Sequence, residues 1–334
     1  MLNTDPQSKI RPPRLIPSLV EGFNAIAGHI HLILFPVIVD LLLWFGPLVR
    51  VKNLLMPMMA QAAELSGAAY GEEGAEFIKN SNQLWSTLLE GFNLLFGIRT
   101  YPVGIPSLMI SQAAQRNPLG AMNIIEIGSI DNAVLLVLAL SFAGLVFGSL
   151  YFCLVARIAV KETKPFDLNC IFQSTAQSII LSLMLVLALF ILGLPAMCLM
   201  SSLTLILPGL GTLPIMIIGF LMVWILLPMS FSPHGIFLGG MKASRSIVTS
   251  FKLVRSLMAG SGMFLIMVIM VGFGLDILWS TPGVDNWMLL VGIIGHGFIS
   301  CSLLASTFVF YRDGLKWLDE VLREKKAVVQ KAEF

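Results

Sequence analysis

Charged residues are scarce in this chain: Asp, Glu, Lys and Arg make up 12% of its 334 residues, about half their share of an ordinary soluble domain. Apolar residues reach 57%, and no polar stretch remains for a separate soluble domain. Cysteine is also sparse. Cys153, Cys170, Cys198 and Cys301 lie far apart, which suggests neither a disulfide framework nor a zinc site. Three of the four fall inside apolar runs, where cysteine packs as a small hydrophobe.

Enzyme signatures are missing too. No phosphate-binding glycine loop leads into a lysine, and no paired-histidine metal motif occurs. Gly260-Ser261-Gly262 hints at an intramembrane serine nucleophile, but Ser261 belongs at the inner end of its apolar run while His296, the nearest base by type, lies near the middle of another. Gly272-Phe273-Gly274-Leu275-Asp276 has one residue too many for a Gly-x-Gly-Asp protease motif. These absences lead us to expect no catalytic centre, cofactor, metal or nucleic-acid partner.

What is present is a series of long apolar runs. A helix needs about 20 apolar residues to cross the ~30 Å hydrocarbon core, and six runs qualify: 30–49, 132–156, 177–207, 213–231, 262–279 and 287–311. The expected fold is all-α, a multi-pass integral membrane helical bundle with six transmembrane helices and amphipathic interfacial helices, forming one domain from 1 to 334. The third run exceeds the core thickness, so Gly193 and Pro195 are expected to kink it, tilt it or end it early. Ala60-Gln61-Ala62 looks like a signal-peptidase site, but the preceding run is long and Arg50 and Lys52 intervene; an uncleaved anchor is expected.

Lysine and arginine are retained in short cytoplasmic loops. Arg157, Lys161 and Lys164 follow the second run, Lys242, Arg245, Lys252 and Arg255 the fourth, and Arg312 the sixth. The loops 208–212 and 280–286 have neither residue. Alternation then places both termini in the cytoplasm, most simply of a plasma membrane. The amphipathic segment 1–29, with Lys9, Arg11 and Arg14, agrees with that side.

The segment 50–131 is too long for the charge rule. It is acidic on balance, with Glu64, Glu72, Glu73, Glu76, Glu90, Glu126 and Asp131 against five basic residues, and is expected outside. Leu84, Trp85, Leu88, Leu89, Phe92 and Phe96 recur near helical spacing, as do Leu54, Leu55, Met58, Met59 and Ala62. Such helices either lie on the outer leaflet or cap the bundle, since either burial satisfies an apolar face. Tyr101-Pro102-Val103-Gly104-Ile105-Pro106 should interrupt them. A short echo, Val20-Glu21-Gly22-Phe23-Asn24 and Leu89-Glu90-Gly91-Phe92-Asn93, fades too quickly for a duplication and is read as coincidence.

Two features are candidates for function. Asp40 stands amid Val37-Ile38-Val39 and Leu41-Leu42-Leu43 near the middle of the first run. A carboxylate there is costly and seeks a partner. His296, in Gly295-His296-Gly297 of the sixth run, lies at similar depth, and a hydrogen bond between the two would create a group able to titrate near neutral pH. The bland alternative is that each is satisfied separately, with His296 packed in a glycine-lined crossing.

The second feature is the loop 232–261, where Ala243, Ile247, Phe251, Val254 and Met258 form an apolar stripe beside Lys242, Arg245, Lys252 and Arg255. A basic amphipathic helix of this kind suits anionic lipid headgroups or another membrane protein. The tail 312–334 reads as a short helix beneath the membrane. The expected role is a non-enzymatic scaffold, assembly or modulatory component, with a permease or channel component using an Asp/His path as the alternative.

Overall fold

A computed structural model describes residues 12–67, 74–112, 114–161, 168–206 and 213–332. Lys9, Arg11, Glu72, Glu73, Lys164 and the loop 208–212 lie outside the described residues. The chain is a multi-pass helical membrane protein, with five helical stretches long and apolar enough to span, or six if one broken pair is counted as a span.

The helices are α1 (Leu15–Ala27), α2 (Leu34–Phe45), α3 (Lys52–Gly67), α4 (Gly74–Gly91), α5 (Ile130–Ala159), α6 (Leu168–Ile206), α7 (Leu213–Leu226), α8 (Ser232–Gly239), α9 (Ala243–Ser256), α10 (Met258–Trp279) and α11 (Leu289–Ala332). Two runs match their expected spans to within a few residues: α5 contains 132–156, and α10 contains 262–279. Others need correction.

The first run is not one helix. It opens as a 3-10 turn (Ile30–Ile33) that leads into α2, and α2 stops at Gly46, before Pro47 and a short strand, β1 (Leu48–Arg50). Proline has no N–H to donate and disfavours helix in the residue before it, so Gly46-Pro47 is a natural stop. Of the kink, tilt or early exit expected in the third run, the early exit does not occur: α6 continues through Pro195 for 39 residues. The fourth run does not end at Phe231. A 3-10 turn at Leu227–Met229 leads into α8, and the apolar stretch reaches Gly239. Pro233 sits in the first turn of α8, where its missing N–H costs nothing. The tail, finally, is no separate helix, since α11 runs unbroken from Leu289 to Ala332.

The contacts gather into two compact groups: one up to Leu32 with Phe152–Gly272 and from Ile299 onward, the other Ile33–Tyr151 with Phe273–Phe298. In the first, Phe231, Leu253, Val254, Phe264, Phe310 and Tyr311 form a buried cluster, with the Phe264 and Phe310 rings stacked at 4.2 Å. The Arg312 guanidinium of α11 donates to both carboxylate oxygens of Glu21 on α1, each at 3.2 Å.

In the second group the segment 50–131 carries structure that periodicity did not suggest. β1 pairs in parallel with β4 (Ile124–Glu126), and β2 (Arg116–Asn117) pairs antiparallel with β3 (Gly120–Ala121). α3 and α4 pack on one another. Ion pairs Arg50–Glu126 at 2.7 Å and Lys52–Glu90 at 2.5 Å join its parts. Asn93 organises the centre. Its side-chain oxygen accepts from Val49 N and Leu95 N, and its amide donates to Pro47 O. Asn24, its counterpart in the echo, is an exposed position within α1, so the two copies play unrelated parts.

Gly22 shows how closely α1 and α11 approach: a β-carbon there would fall 2.4 Å from Ser306 N. Replacing Gly22 by leucine should destabilise the protein by about 1–3 kcal/mol or more, as overpacking does. A lowered melting midpoint in detergent is the expected result, with Gly193→Leu, at an open position, close to wild type.

Candidate functional site

Two of the clusters of polar groups that the apolar helices bury, one in each contact group, contain ionisable side chains. The first surrounds Asp40. α2 turns Pro36, Val37, Asp40, Leu43 and Trp44 inward and leaves Ile38 and Leu42 exposed, the spacing of one helical face. Asp40 is therefore buried as a consequence of the same periodicity that buries its apolar neighbours.

Its partners come from the segment after Pro106. Ser107 Oγ donates to Oδ1 at 2.5 Å, Met109 N to Oδ1 at 3.0 Å and Leu108 N to Oδ2 at 3.2 Å. Two successive backbone N–H groups at the start of a 3-10 turn, Met109–Ser111, form a concave anion seat, and the hydroxyl completes it. Hydrogen bonds to an ionised acceptor are among the stronger ones. The carboxylate thereby ties α2 to a stretch 67 residues along the chain.

His296 takes a different partner. Its Nδ1 lies 2.6 Å from Asp276 Oδ1, one turn before the end of α10. Of the two readings of the sequence, the geometry gives Asp40 and His296 each a partner of its own, a hydroxyl and two backbone amides for one and a carboxylate for the other. Both flanking glycines have steric reasons to be there. A β-carbon at Gly295 would collide with the Trp279 ring at 2.8 Å, and one at Gly297 would press on Val37 and Pro36 of α2. His296 itself is buried, while Asp276 is 40% exposed. Depth counted along the sequence did not suggest Asp276, because it sits near a helix end.

The second cluster was hidden by the misplaced end of the fourth run. His234, on α8, is buried with its Nε2 2.8 Å from Thr307 Oγ1 of α11. The Thr307 hydroxyl also lies 2.7 Å from Leu304 O, so it links the ring to the α11 backbone. Phe231, Phe308 and Tyr311 surround the ring. Tyr311 Oη has no hydrogen-bond partner among the described residues.

The basic helix α9 lies beside this cluster, rotated from its expected setting. Its buried face is Ala243, Ser246, Ser250, Leu253 and Val254, whereas Phe251 of the expected stripe is exposed. The cause is the interrupted helix α7–α8. Ser246 donates to Ser232 O and Ser250 to Pro228 O, both at 2.5 Å, covering carbonyls at the break, and Gln177 Oε1 accepts from Ala243 N at 2.9 Å. Hydroxyls two helical positions apart by four are what that break requires, and apolar residues cannot supply them. Lys242, Arg245, Lys252 and Arg255 all face solvent or lipid, with Val248 and Phe251 exposed among them.

No group of three or more His, Cys, Asp or Glu that could hold a metal occurs among the described residues. The four cysteines are free thiols, Cys153 and Cys301 buried, Cys170 and Cys198 exposed, so Cys198 does not pack inward as its apolar run suggested. No family model, no curated protein and no solved structure matches the chain.

Two outcomes follow. Asp40→Leu strands the Ser107, Leu108 and Met109 donors, each unsatisfied group costing about 1–3 kcal/mol; trypsin-independent proteolysis, for example by thermolysin, should cut near 107–109 in the variant well before it cuts wild type. Outside the spans, the Lys52 ammonium holds the Glu90 carboxyl below its ordinary range. A depressed carboxylate stabilises above its unfolded pKa and loses that contribution as pH falls through the folded one. Amide protection near Glu90, corrected for the intrinsic pH dependence of exchange, should therefore be unchanged from pH 7 down to the ordinary carboxylate range and fall only below it, and Lys52→Met should remove this step.

Proposed function

We propose that this protein is a non-enzymatic scaffold, assembly or modulatory component of a membrane, with both termini in the cytoplasm. The observation that carries the reading is the state of Asp40. An intramembrane carboxylate is by default a candidate for an ion or proton path, but here three donors of its own chain occupy it. It acts as a staple between α2 and the 107–109 turn, fully buried and with both carboxylate oxygens engaged by its own chain.

The outward faces of the helices support the same reading. In α6 and α10 only 11% of the most apolar stretch is buried, and α7 is apolar on every side. Such helices present broad surfaces to lipid or to another membrane protein, where association proceeds by packing. The exposed basic side of α9, at Lys242, Arg245, Lys252 and Arg255, fits anionic headgroups of the cytoplasmic leaflet, each basic residue near the surface contributing about 1 kcal/mol. The positive-inside rule gives the orientation.

One observation favours the permease alternative, the Asp276–His296 pair, which joins a buried imidazole to a partly exposed carboxylate. Thiol accessibility separates the two readings. In a variant without native cysteines, Ser107→Cys and His296→Cys should resist a small water-soluble thiol reagent in intact cells, with Lys79→Cys as the labelled control. Reaction at both buried positions would mean a hydrated path and replace the scaffold by the permease.

A further inference from the structure

One groove of the second contact group has no polar lining. It lies between the start of α3 and the first turns of α5 and has a volume of about 380 Å³, within the range of ligand clefts, about 300–1,000 Å³. Leu54 and Met58 form one wall, Val134, Val137 and Leu138 the other, and Val51 lines its base. We propose that this groove holds an acyl chain of a membrane lipid, so that the α3–α4 hairpin lies in the bilayer interface instead of standing in water as a cap.

The argument rests on continuity. The α5 wall is part of the bilayer-facing side of a transmembrane helix: Val134, Leu135 and Leu138 are all more than half exposed. From Ile130 to Leu138 the helix rises about 12 Å, against about 15 Å for half the hydrocarbon core. The groove is therefore as deep as one leaflet and opens onto the surface that lipid tails already cover. A water-filled groove with only apolar walls at that depth would forgo the stabilisation of burying them.

The hairpin has the matching face. On α4, Phe77, Leu84, Trp85 and Leu88 are exposed and fall within about 100° of arc at 3.6 residues per turn, while Lys79 lies on the opposite side. Exposed Met58 and Leu65 continue the apolar surface on α3. A helix with this division lies in the interface with its apolar side among the acyl chains.

Charge at the groove's end indicates which lipid chemistry is recognised. Arg50 and Lys52 adjoin Val51, but each is already paired, with Glu126 and Glu90. Their charges are neutralised within the protein, so the groove selects the chain and not an anionic headgroup. The inference depends on α5 crossing the membrane and is independent of the scaffold reading.

The test uses the full chain without native cysteines, reconstituted in phosphatidylcholine vesicles with or without brominated acyl chains. A bimane on Met58→Cys should be quenched by the brominated chains as strongly as one on Leu135→Cys of the span, and one on Lys79→Cys should not. Exchanging part of the phosphatidylcholine for phosphatidylglycerol with the same brominated chains should leave the quenching unchanged. Adding Ala133→Trp, beside the groove wall, should weaken quenching at position 58 and leave position 135 unaltered. Absence of quenching at 58 alongside quenching at 135 would overturn the proposal and point to water or a protein segment in the groove. A marked gain with phosphatidylglycerol would equally overturn the chain-selective reading.

Discussion

A carboxylate near the middle of an apolar helix must be neutralised, paired or hydrogen-bonded, because transferring it unpaired out of water costs far more than a folded domain can spare. Asp40 meets that requirement through the 107–109 turn, and much of the second contact group can be understood as support for that turn. The turn must be brought to α2 from far along the chain. β1–β4 pairing returns the chain beside the end of α2, Asn93 satisfies backbone groups of Pro47, Val49 and Leu95 together, and Asn117 donates to Trp44 O. Trp44 in turn donates to Val284 O at 2.7 Å, which ties the α10–α11 connection to the same helix end.

The first contact group solves a related problem with different residues. Non-helical backbone at membrane depth is tolerated only where protein or water satisfies its polar groups. At the break between α7 and α8, serines of α9 donate to the carbonyls of Pro228 and Ser232. This explains why a helix with four exposed basic residues keeps a hydroxyl-bearing face inward. The basic side and the serine side have separate duties, one toward the surroundings and one toward the broken span. His234 belongs to the same arrangement, held by Thr307 among aromatic rings.

Glycine has a narrower role here than its abundance suggests. Gly22 admits Ser306, and Gly295 admits the Trp279 ring; at these points a β-carbon would occupy space already filled. Gly193 meets nothing within 4 Å, and lies on α6, where only 11% of the most apolar stretch is buried. Close crossings and open faces therefore use the same residue for different reasons, which composition cannot separate.

The helical membrane class was legible in the sequence, and so were α5 and α10, because about 20 consecutive apolar residues without charge have no stable alternative to a spanning helix. The basic side of α9 was legible for the same kind of reason, as charge that must remain in contact with water or headgroups. Hydropathy averages over a window, however, and cannot see a break whose flanks are both apolar; hence the fourth run that reaches Gly239, and the first run whose helix stops at Gly46. It is equally blind to partners. Asp40 and His296 each announced a buried polar group that needed satisfying, but the choice of Ser107 for one and Asp276 for the other depended on which distant backbone arrived at that depth, and that is settled by long-range packing and hydrogen bonding, which local composition does not encode.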